Sequence, residues 1–256
     1  GGDGVNYPSE LANLTNMTVY NYGFDGETTN LIAARQGGIS LYAKEFTIPA
    51  TKDAVEIVLY DKLGSKYVFK NETDANTLNP CKINDIEGNI TYNKDTKKMY
   101  FTRTSEGEEV KVKAGTQLFT NHMLNKDDKK DEVLVIFTGN DEKTDIDEII
   151  KTQKKMIKYA NTDKYIVIGV TKDDSLYENT VLKNEYGSHF LNIKKYLIQN
   201  GLKDANITAT KQDKADVGNS IIPTSLRSEG INGNSTYYKL VAQQVFNKIN
   251  ELGYFK

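Results

Sequence analysis

Two continuous apolar runs stand out in the hydrophobic pattern, at 131–137 (DEVLVIF) and 165–170 (YIVIGV). Runs that are apolar on both faces are typical of strands buried within a parallel sheet. The residues between them have helical periodicity, and Asp145 or Thr144 can cap the start of this helix. Its predicted buried face contains Ile146, Ile149, Ile150, Gln153, Ile157 and Ala160.

Other segments continue the alternation of strands and helices. Residues 19–22 (VYNY) are a short strand candidate, and the glycine turn that follows, 23–29 (GFDGETT), opens a helix. Residues 189–202 are typical of a strand turning into a helix that Gly201 ends. A last helix is predicted from Ser235 to Leu252, with a buried face of Tyr238, Val241, Val245, Ile249 and Leu252. This order predicts an α/β fold, a three-layer sandwich with an open parallel sheet.

The segment from 39 to 121 has a different pattern, in which apolar and polar residues alternate over short stretches separated by turns. These stretches are AVEIVLYD, KYVFKN, NITYNK, KMYFTRT and EEVKVKAG. Alternation with a period of two indicates strands with one buried face, so we expect a β-rich insert of barrel or sandwich type. The predicted domains are therefore 1–38 together with 122–256 for the α/β part, and 39–121 for the insert.

Composition narrows the classes of function. A formal net charge of −2 provides neither a basic field for nucleic acid nor a polybasic membrane anchor. Cys81 is the single cysteine, so no internal disulfide forms. No apolar run approaches the ~18 residues that a membrane-spanning helix needs. No signal peptide is visible, and the glycine-rich start without Met indicates a processed or truncated N-terminus. The residue usage resembles that of an AT-rich bacterium, and a secreted or cell-surface location is favoured over a cytoplasmic one.

Three loops are candidate binding sites, because ligands of open α/β sheets bind outside the carboxyl ends of the strands. In the loop at 21–29, backbone amides near Gly23 and Gly26 can face an anion, or the loop is only a tight turn before a helix. In the loop at 137–142, the Asn140 amide can donate to an oxyanion, or Asn140 or Asp141 only caps a turn. The third loop, 228–234 (SEGINGN), is a small-residue turn that precedes the last helix.

Three blocks of sequence together resemble the SGNH, or GDSL, hydrolase family, in a bacterial branch with a β-rich insert after the second motif block. The segment GFDGETTNLIAARQGG resembles the second block of that branch, and FTGND resembles the third, G-x-N-D. The segment at 223–255, which contains SEGINGN, resembles the one that carries the last block.

The resemblance implies roles for individual positions. The family takes a Ser nucleophile from a G-D-S turn in its first block, and Gly26 and Asn140 stand at its oxyanion-hole positions. Glu229 stands where the last block, D-x-x-H, has its Asp, and Asn232 stands where it has the His base. The first block is not in the chain, because GGDGVNYP aligns with the stretch that follows the G-D-S turn. The nucleophile is therefore expected just before residue 1.

These substitutions change the expected chemistry, because an Asn amide cannot accept a proton near neutral pH. The two histidines, His122 and His189, are expected to have core or surface roles. We therefore expect an esterase or acylhydrolase-like protein for acyl esters of carbohydrate or lipid, with impaired or lost activity. Two alternatives are a non-catalytic binding or scaffold protein with the same fold, and a β-rich insert that itself binds carbohydrate or protein. No cofactor or metal is expected, and the sequence leaves the oligomeric state open.

Overall fold

The computed structural model describes residues 4–24, 26–69, 72–125, 132–138, 145–228 and 232–255. The chain divides into two compact units. The antiparallel-sheet unit comprises Gly23–Lys130 and Gly139–Asn161, and the parallel-sheet unit comprises Gly1–Tyr22, Asp131–Thr138 and Thr162–Lys256. Each unit is described by itself below.

The described helices are numbered in chain order. They are α1 (Tyr7–Thr15), α2 (Thr29–Gln36), α3 (Glu72–Asn76), α4 (Asn121–Leu124), α5 (Ile146–Ala160), α6 (Leu176–Tyr186), α7 (Ile193–Tyr196), α8 (Leu202–Asp204), α9 (Lys211–Gly218) and α10 (Ser235–Glu251). A π-helical turn at Leu197–Gly201 joins α7 to α8, and short 3₁₀ turns lie at Gly187–His189 and Thr224–Leu226.

The described strands are β1 (Leu41–Ala43), β2 (Phe46–Ile48), β3 (Val55–Ile57), β4 (Leu59–Tyr60), β5 (Cys81–Ile83), β6 (Ile86–Asn93), β7 (Lys98–Arg103), β8 (Val110–Val112), β9 (Thr116–Phe119), β10 (Leu134–Phe137), β11 (Tyr165–Ile168) and β12 (Phe190–Leu191). The first nine belong to the antiparallel-sheet unit and the last three to the parallel-sheet unit.

The main sheet of the antiparallel-sheet unit is nearly closed. Its seven strands follow the order β3-β7-β6-β5-β9-β1-β4, and all their pairings are antiparallel. The two edge strands of this order, β3 and β4, are separated along the chain by Val58 alone. The sheet must therefore curl back on itself, as in a small barrel. Strands β2 and β8 form a separate antiparallel pair.

The core of this unit follows from the alternation in the sequence. In β6 the buried positions are Gly88, Ile90 and Tyr92, and in β7 they are Met99, Phe101 and Arg103. The side chains between them face outwards, so each strand contributes one apolar row. Gly88 is required here, because a β-carbon at this position would lie 2.3 Å from the Phe101 ring.

The core of the parallel-sheet unit forms around three short parallel strands in the order β10-β11-β12. Leu134 pairs with Tyr165, and Val167 pairs with Phe190. Helix α10 contributes Val241, Val245 and Ile249 to the same cluster, which also contains Ile166 and Ile168 of β11. The parallel pairing of the two long apolar runs is therefore confirmed.

The expected fold class, a three-layer α/β sandwich with an open parallel sheet, is wrong. Most of the strand pairing is antiparallel, and the largest sheet is the nearly closed one, built from the region expected to be an insert. The described parallel sheet has only three strands, of four, four and two residues. Local periodicity identifies strands that are buried on both faces, but it does not determine how many others join them. The predicted domain boundaries stay a prediction.

Individual elements differ from expectation in two places. Residues 19–22 form no strand and belong to none of the described sheets, and Tyr20 is 62% exposed. Gly201 does not end its helix, since its φ of −56° is helical and α8 continues to Asp204. A β-carbon on Gly201 would lie 2.7 Å from Leu226, so close packing accounts for this glycine.

Two helices match the bounds that the sequence predicts, but their buried faces match only in part, since Ile157 and Ala160 of α5 and Tyr238 of α10 are only partly buried. Helix α5 begins at Ile146 with Asp145 as its cap, and α10 begins at Ser235 as expected and ends at Glu251, one residue early. No helix in the described part of the chain is long and apolar enough to cross a membrane.

Candidate functional site

The loop before α2, in the antiparallel-sheet unit, contains the first predicted site residue. Gly26 is exposed and has a φ of 73°, a conformation that glycine adopts without strain. The Thr28 hydroxyl accepts a hydrogen bond from the Leu31 amide at 3.4 Å and so caps α2. The segment is therefore a positive-φ turn that leads directly into a capped helix.

A buried ion pair fixes this loop to α2. The Arg35 guanidinium forms a two-pronged contact with the Glu27 carboxylate, and each side chain is 3% exposed. The same guanidinium lies 4.8 Å from the centroid of the Phe24 ring, and the Thr120 hydroxyl donates to the Arg35 carbonyl at 2.5 Å. Glu27 and Arg35 both belong to the segment that resembles the second family block, and here they have a structural role.

The end of the same segment packs on α5. The Gln36 amide nitrogen donates to the Met156 carbonyl at 3.1 Å, and its oxygen accepts from the Gly38 amide at 2.9 Å. A β-carbon on Gly38 would lie 2.9 Å from the Met156 backbone, so only glycine fits this crossing. The residues RQGG thus join α2 to α5 within the antiparallel-sheet unit.

The SEGINGN loop lies in the parallel-sheet unit, and four of its residues are described. Its ends are held together, because the Ser228 amide donates to the Asn232 carbonyl at 2.8 Å. The Asn234 side-chain oxygen accepts from the Tyr237 amide at 3.1 Å and caps α10, and its nitrogen donates to the Ser225 carbonyl at 2.9 Å. Asn232 is exposed. A backbone hydrogen bond therefore joins the described ends of the loop, and an exposed amide side chain stands at the predicted base position.

Two buried aspartates of α9 hold the segment just before this loop. Asp213 accepts hydrogen bonds from both the amide and the hydroxyl of Ser225, each at 2.8 Å. Asp216 accepts from the amide and hydroxyl of Thr224, each at 2.7 Å, and pairs with Arg227 at 3.2 Å. The sequence analysis missed this arrangement, although Thr210 and Asp213 have the spacing of the capping box that they form.

The Asp213 carboxylate has a displaced pKa. Burial alone would raise the pKa of this group, but the hydrogen bonds from Ser225 and Thr210 outweigh burial and lower the pKa to about 2. A depressed folded-state pKa means that the charged form contributes stability above the ordinary Asp pKa of about 3.9. This contribution is lost as the pH falls from about 4 through about 2.

We expect Asp213→Asn to lower the free energy of unfolding at pH 7 by about 1–3 kcal/mol, because hydroxyl and amide donors lose a charged acceptor. The difference from the unmodified chain should shrink when denaturant unfolding is repeated near pH 2–3. Glu251→Gln is the control, since it removes a 61% exposed carboxylate that pairs with Lys248 at 2.8 Å. An Asp213→Asn deficit that stays constant at acid pH would contradict this account.

A second buried polar cluster shapes the loop at the carboxyl end of β11. The Asn179 side chain binds both backbone groups of Val170, at 2.9 Å and 2.8 Å. The Lys194 amine donates to the Lys172 and Asp173 carbonyls at 2.8 Å and 2.5 Å. Burial lowers the pKa of Lys194, and neighbouring acidic groups oppose this shift. Ser175 is fully buried among the same groups, so it is not accessible as a nucleophile.

The start of α10 and His189 lie at opposite ends of β11. Tyr237, in the first turn of α10, hydrogen-bonds to Thr171, just beyond the carboxyl end of β11. His189 Nδ1 lies 3.0 Å from the carbonyl of Tyr165, the first residue of β11, and 2.8 Å from the Tyr254 hydroxyl. Helix α10 spans roughly 25 Å between these ends. His189 therefore cannot take the place of a base at position 232.

Two of the four predicted site residues, Gly26 and Asn232, are among the described residues. Gly26 and Asn232 have the settings given above, and they belong to different units, so their convergence stays a prediction. Asn140 and Glu229 lie outside the described residues. In the described part of the chain, no group of three or more His, Cys, Asp or Glu side chains could hold a metal ion.

The chain matches no protein-family model, no curated protein and no solved structure.

Proposed function

We propose that the chain is an SGNH-hydrolase-like protein of the esterase class with impaired or lost turnover, whose ligands are acyl esters of carbohydrate or lipid. The proposal rests on the three sequence blocks and on the local geometry of the described residues in the second and last blocks, and not on the architecture of the sheets. One observation carries it. An amide, that of Asn232, stands at the position that the resemblance assigns to the family's base, and His189 lies at the other end of β11.

The remaining chemistry at these positions favours binding over hydrolysis. A Ser hydroxyl without a base is a poor nucleophile at its free pKa, and an Asn amide cannot accept its proton. The exposed positive-φ turn at Gly26 can still present backbone N–H groups to a carbonyl or to an anion. Backbone donors without a base favour binding of an ester over its cleavage.

We expect the unmodified chain to hydrolyse p-nitrophenyl acetate no faster than a control protein of similar size and charge. A nucleophile, a base and an oxyanion hole must coincide for acyl transfer, and the resemblance assigns the position of the base to Asn232, which cannot act as one. The release of p-nitrophenol over a range of pH provides the measurement. Glu229→Gln is the matched variant, because Glu229 is the ionisable group of the loop and could activate water if burial raised its pKa. Turnover that disappears in Glu229→Gln would make Glu229 the base and overturn the proposal.

A further inference from the structure

A polar groove runs along one side of α10 in the parallel-sheet unit. Its volume is about 590 Å³, and α10 contributes Thr236, Gln243, Gln244 and Asn247 to its lining. Thr236 and Asn247 are roughly 17 Å apart along the helix axis. The opposite side comes from the helical segment that follows β12. The groove is therefore elongated, and residues of 196–247 line it.

The π-helical turn between α7 and α8 shapes that opposite side. Tyr196 precedes the turn and Asp204 ends α8. Residues eight apart in a regular α-helix lie roughly 80° apart around the axis, and the wider π turn reduces this angle. The Tyr196 hydroxyl donates to the Asp204 carboxylate at 2.7 Å. Burial, followed by this hydrogen bond, raises the pKa of Tyr196, and the Gln244 amide opposes the shift. The hydroxyl therefore stays neutral.

The amides on the α10 side are oriented but keep unused hydrogen-bonding groups. Gln243 Nε2 donates to Asn247 Oδ1 at 3.0 Å, which holds the two side chains together. Within the described part of the chain, the Gln243 oxygen, the Asn247 nitrogen and the Thr236 hydroxyl have no hydrogen-bond partner. Groups that are already oriented lose less conformational entropy when they bind a ligand.

These groups suit a neutral ligand that is rich in hydroxyls. A sugar hydroxyl both donates and accepts, and a side-chain amide offers a donor and an acceptor side by side. The charges of Lys239 and Asp204 cancel among the lining residues, so the groove has no net charge to attract phosphates. Tyr196 and Leu240 add apolar surface, against which the C–H faces of a sugar ring can pack.

We propose that this groove binds a neutral, unacylated oligosaccharide. Gln243 and Asn247 donate and accept hydrogen bonds with its hydroxyls, and the Tyr196 ring packs against one face of a sugar. The groove goes beyond the proposed ester site, because binding here needs no acyl group, no nucleophile and no base. Its occupancy and the hydrolysis of esters are separate properties of the chain.

Calorimetric titration of the whole chain with unacylated hexasaccharides of glucose, mannose, xylose and N-acetylglucosamine tests this proposal. We expect at least one of the four to bind. A sulfated hexasaccharide is the anionic probe, and it should bind more weakly because the groove has no net positive charge. Binding of none of the four neutral probes, or tighter binding of the sulfated one, would overturn the proposal. Neither result depends on whether p-nitrophenyl acetate is hydrolysed.

The double variant Gln243→Ala, Asn247→Ala locates the site. It removes the oriented amides and should raise the dissociation constant of the bound hexasaccharide at least about tenfold. Alanine is the best helix former, so α10 should persist, and an unchanged thermal midpoint checks this. Gln199→Ala is the control, since it removes an exposed amide of the π turn that does not line the groove. Equal affinity in the double variant and the control would place the binding elsewhere and overturn the proposal.

Discussion

We expect Glu27→Gln to destabilise the antiparallel-sheet unit by about 3–5 kcal/mol, because it leaves the buried Arg35 guanidinium without its carboxylate. Both side chains are 3% exposed, so water cannot replace the lost partner. The same change releases the loop that contains Gly26 from α2. Denaturant unfolding should show a lower midpoint with an unchanged slope, which distinguishes lost stability from a change in compactness.

Two further variants separate the buried charge from a general effect of substitution. Combining Glu27→Gln with Arg35→Met removes both charges and should recover part of the loss. Glu56→Gln is the matched control in the same unit, since Glu56 pairs with Lys98 at 2.6 Å and both side chains are about half exposed. Its midpoint should not change, because exposed ion pairs contribute little. Equal effects of Glu27→Gln and Glu56→Gln would show that the buried ion pair contributes no more to stability than the exposed one.

Helices and strands whose form depends on their own local sequence pattern could be predicted. Helix α5 has an apolar face and Asp145 as a cap, so its start and the buried residues Ile146, Ile149, Ile150 and Gln153 followed from periodicity. Ile157 and Ala160 were expected on the same face but are only partly buried, and Thr152 and Met156 are buried instead. The run VLVIF gave β10 and its parallel pairing with β11, because a strand that is apolar on both faces needs neighbours that are also buried.

Properties that depend on distant partners could not be predicted. The segment VYNY has the composition of a strand, but residues 19–22 belong to none of the described sheets. Near-closure of the main sheet depends on β3 and β4 reaching its opposite edges, and alternation within each strand carries no information about strand order. The fold class was therefore wrong although many of its elements were right.

The same distinction applies to the candidate site. Gly26 and the cap at Thr28 could be anticipated from the small-residue turn before a helix. The pairing of Glu27 with Arg35 and the support of Ser225 by Asp213 were missed, because each depends on burial that a polar residue does not reveal in sequence. These contacts explain why the motif segments keep their shape without a base at position 232.

Restoring the missing chemistry provides the most demanding test of the proposed function. We expect a chain that carries a G-D-S turn added before Gly1, together with Asn232→His, to hydrolyse p-nitrophenyl acetate ~10³–10⁴-fold faster than the same extended chain with Asn232. The imidazole would take the proton that an amide cannot accept, and the cap at Asn234 already fixes the loop that would carry it. The rate should rise with pH as the imidazole loses its proton, near its ordinary pKa of about 6.5.

Asn232→His without the added turn should gain no activity, and neither should the extended variant with its Ser changed to Ala, because each lacks either the nucleophile or its base. An extended chain that is equally active with Asn or His at position 232 would show that the base lies elsewhere, and the loop before α10 would then lose its assigned role.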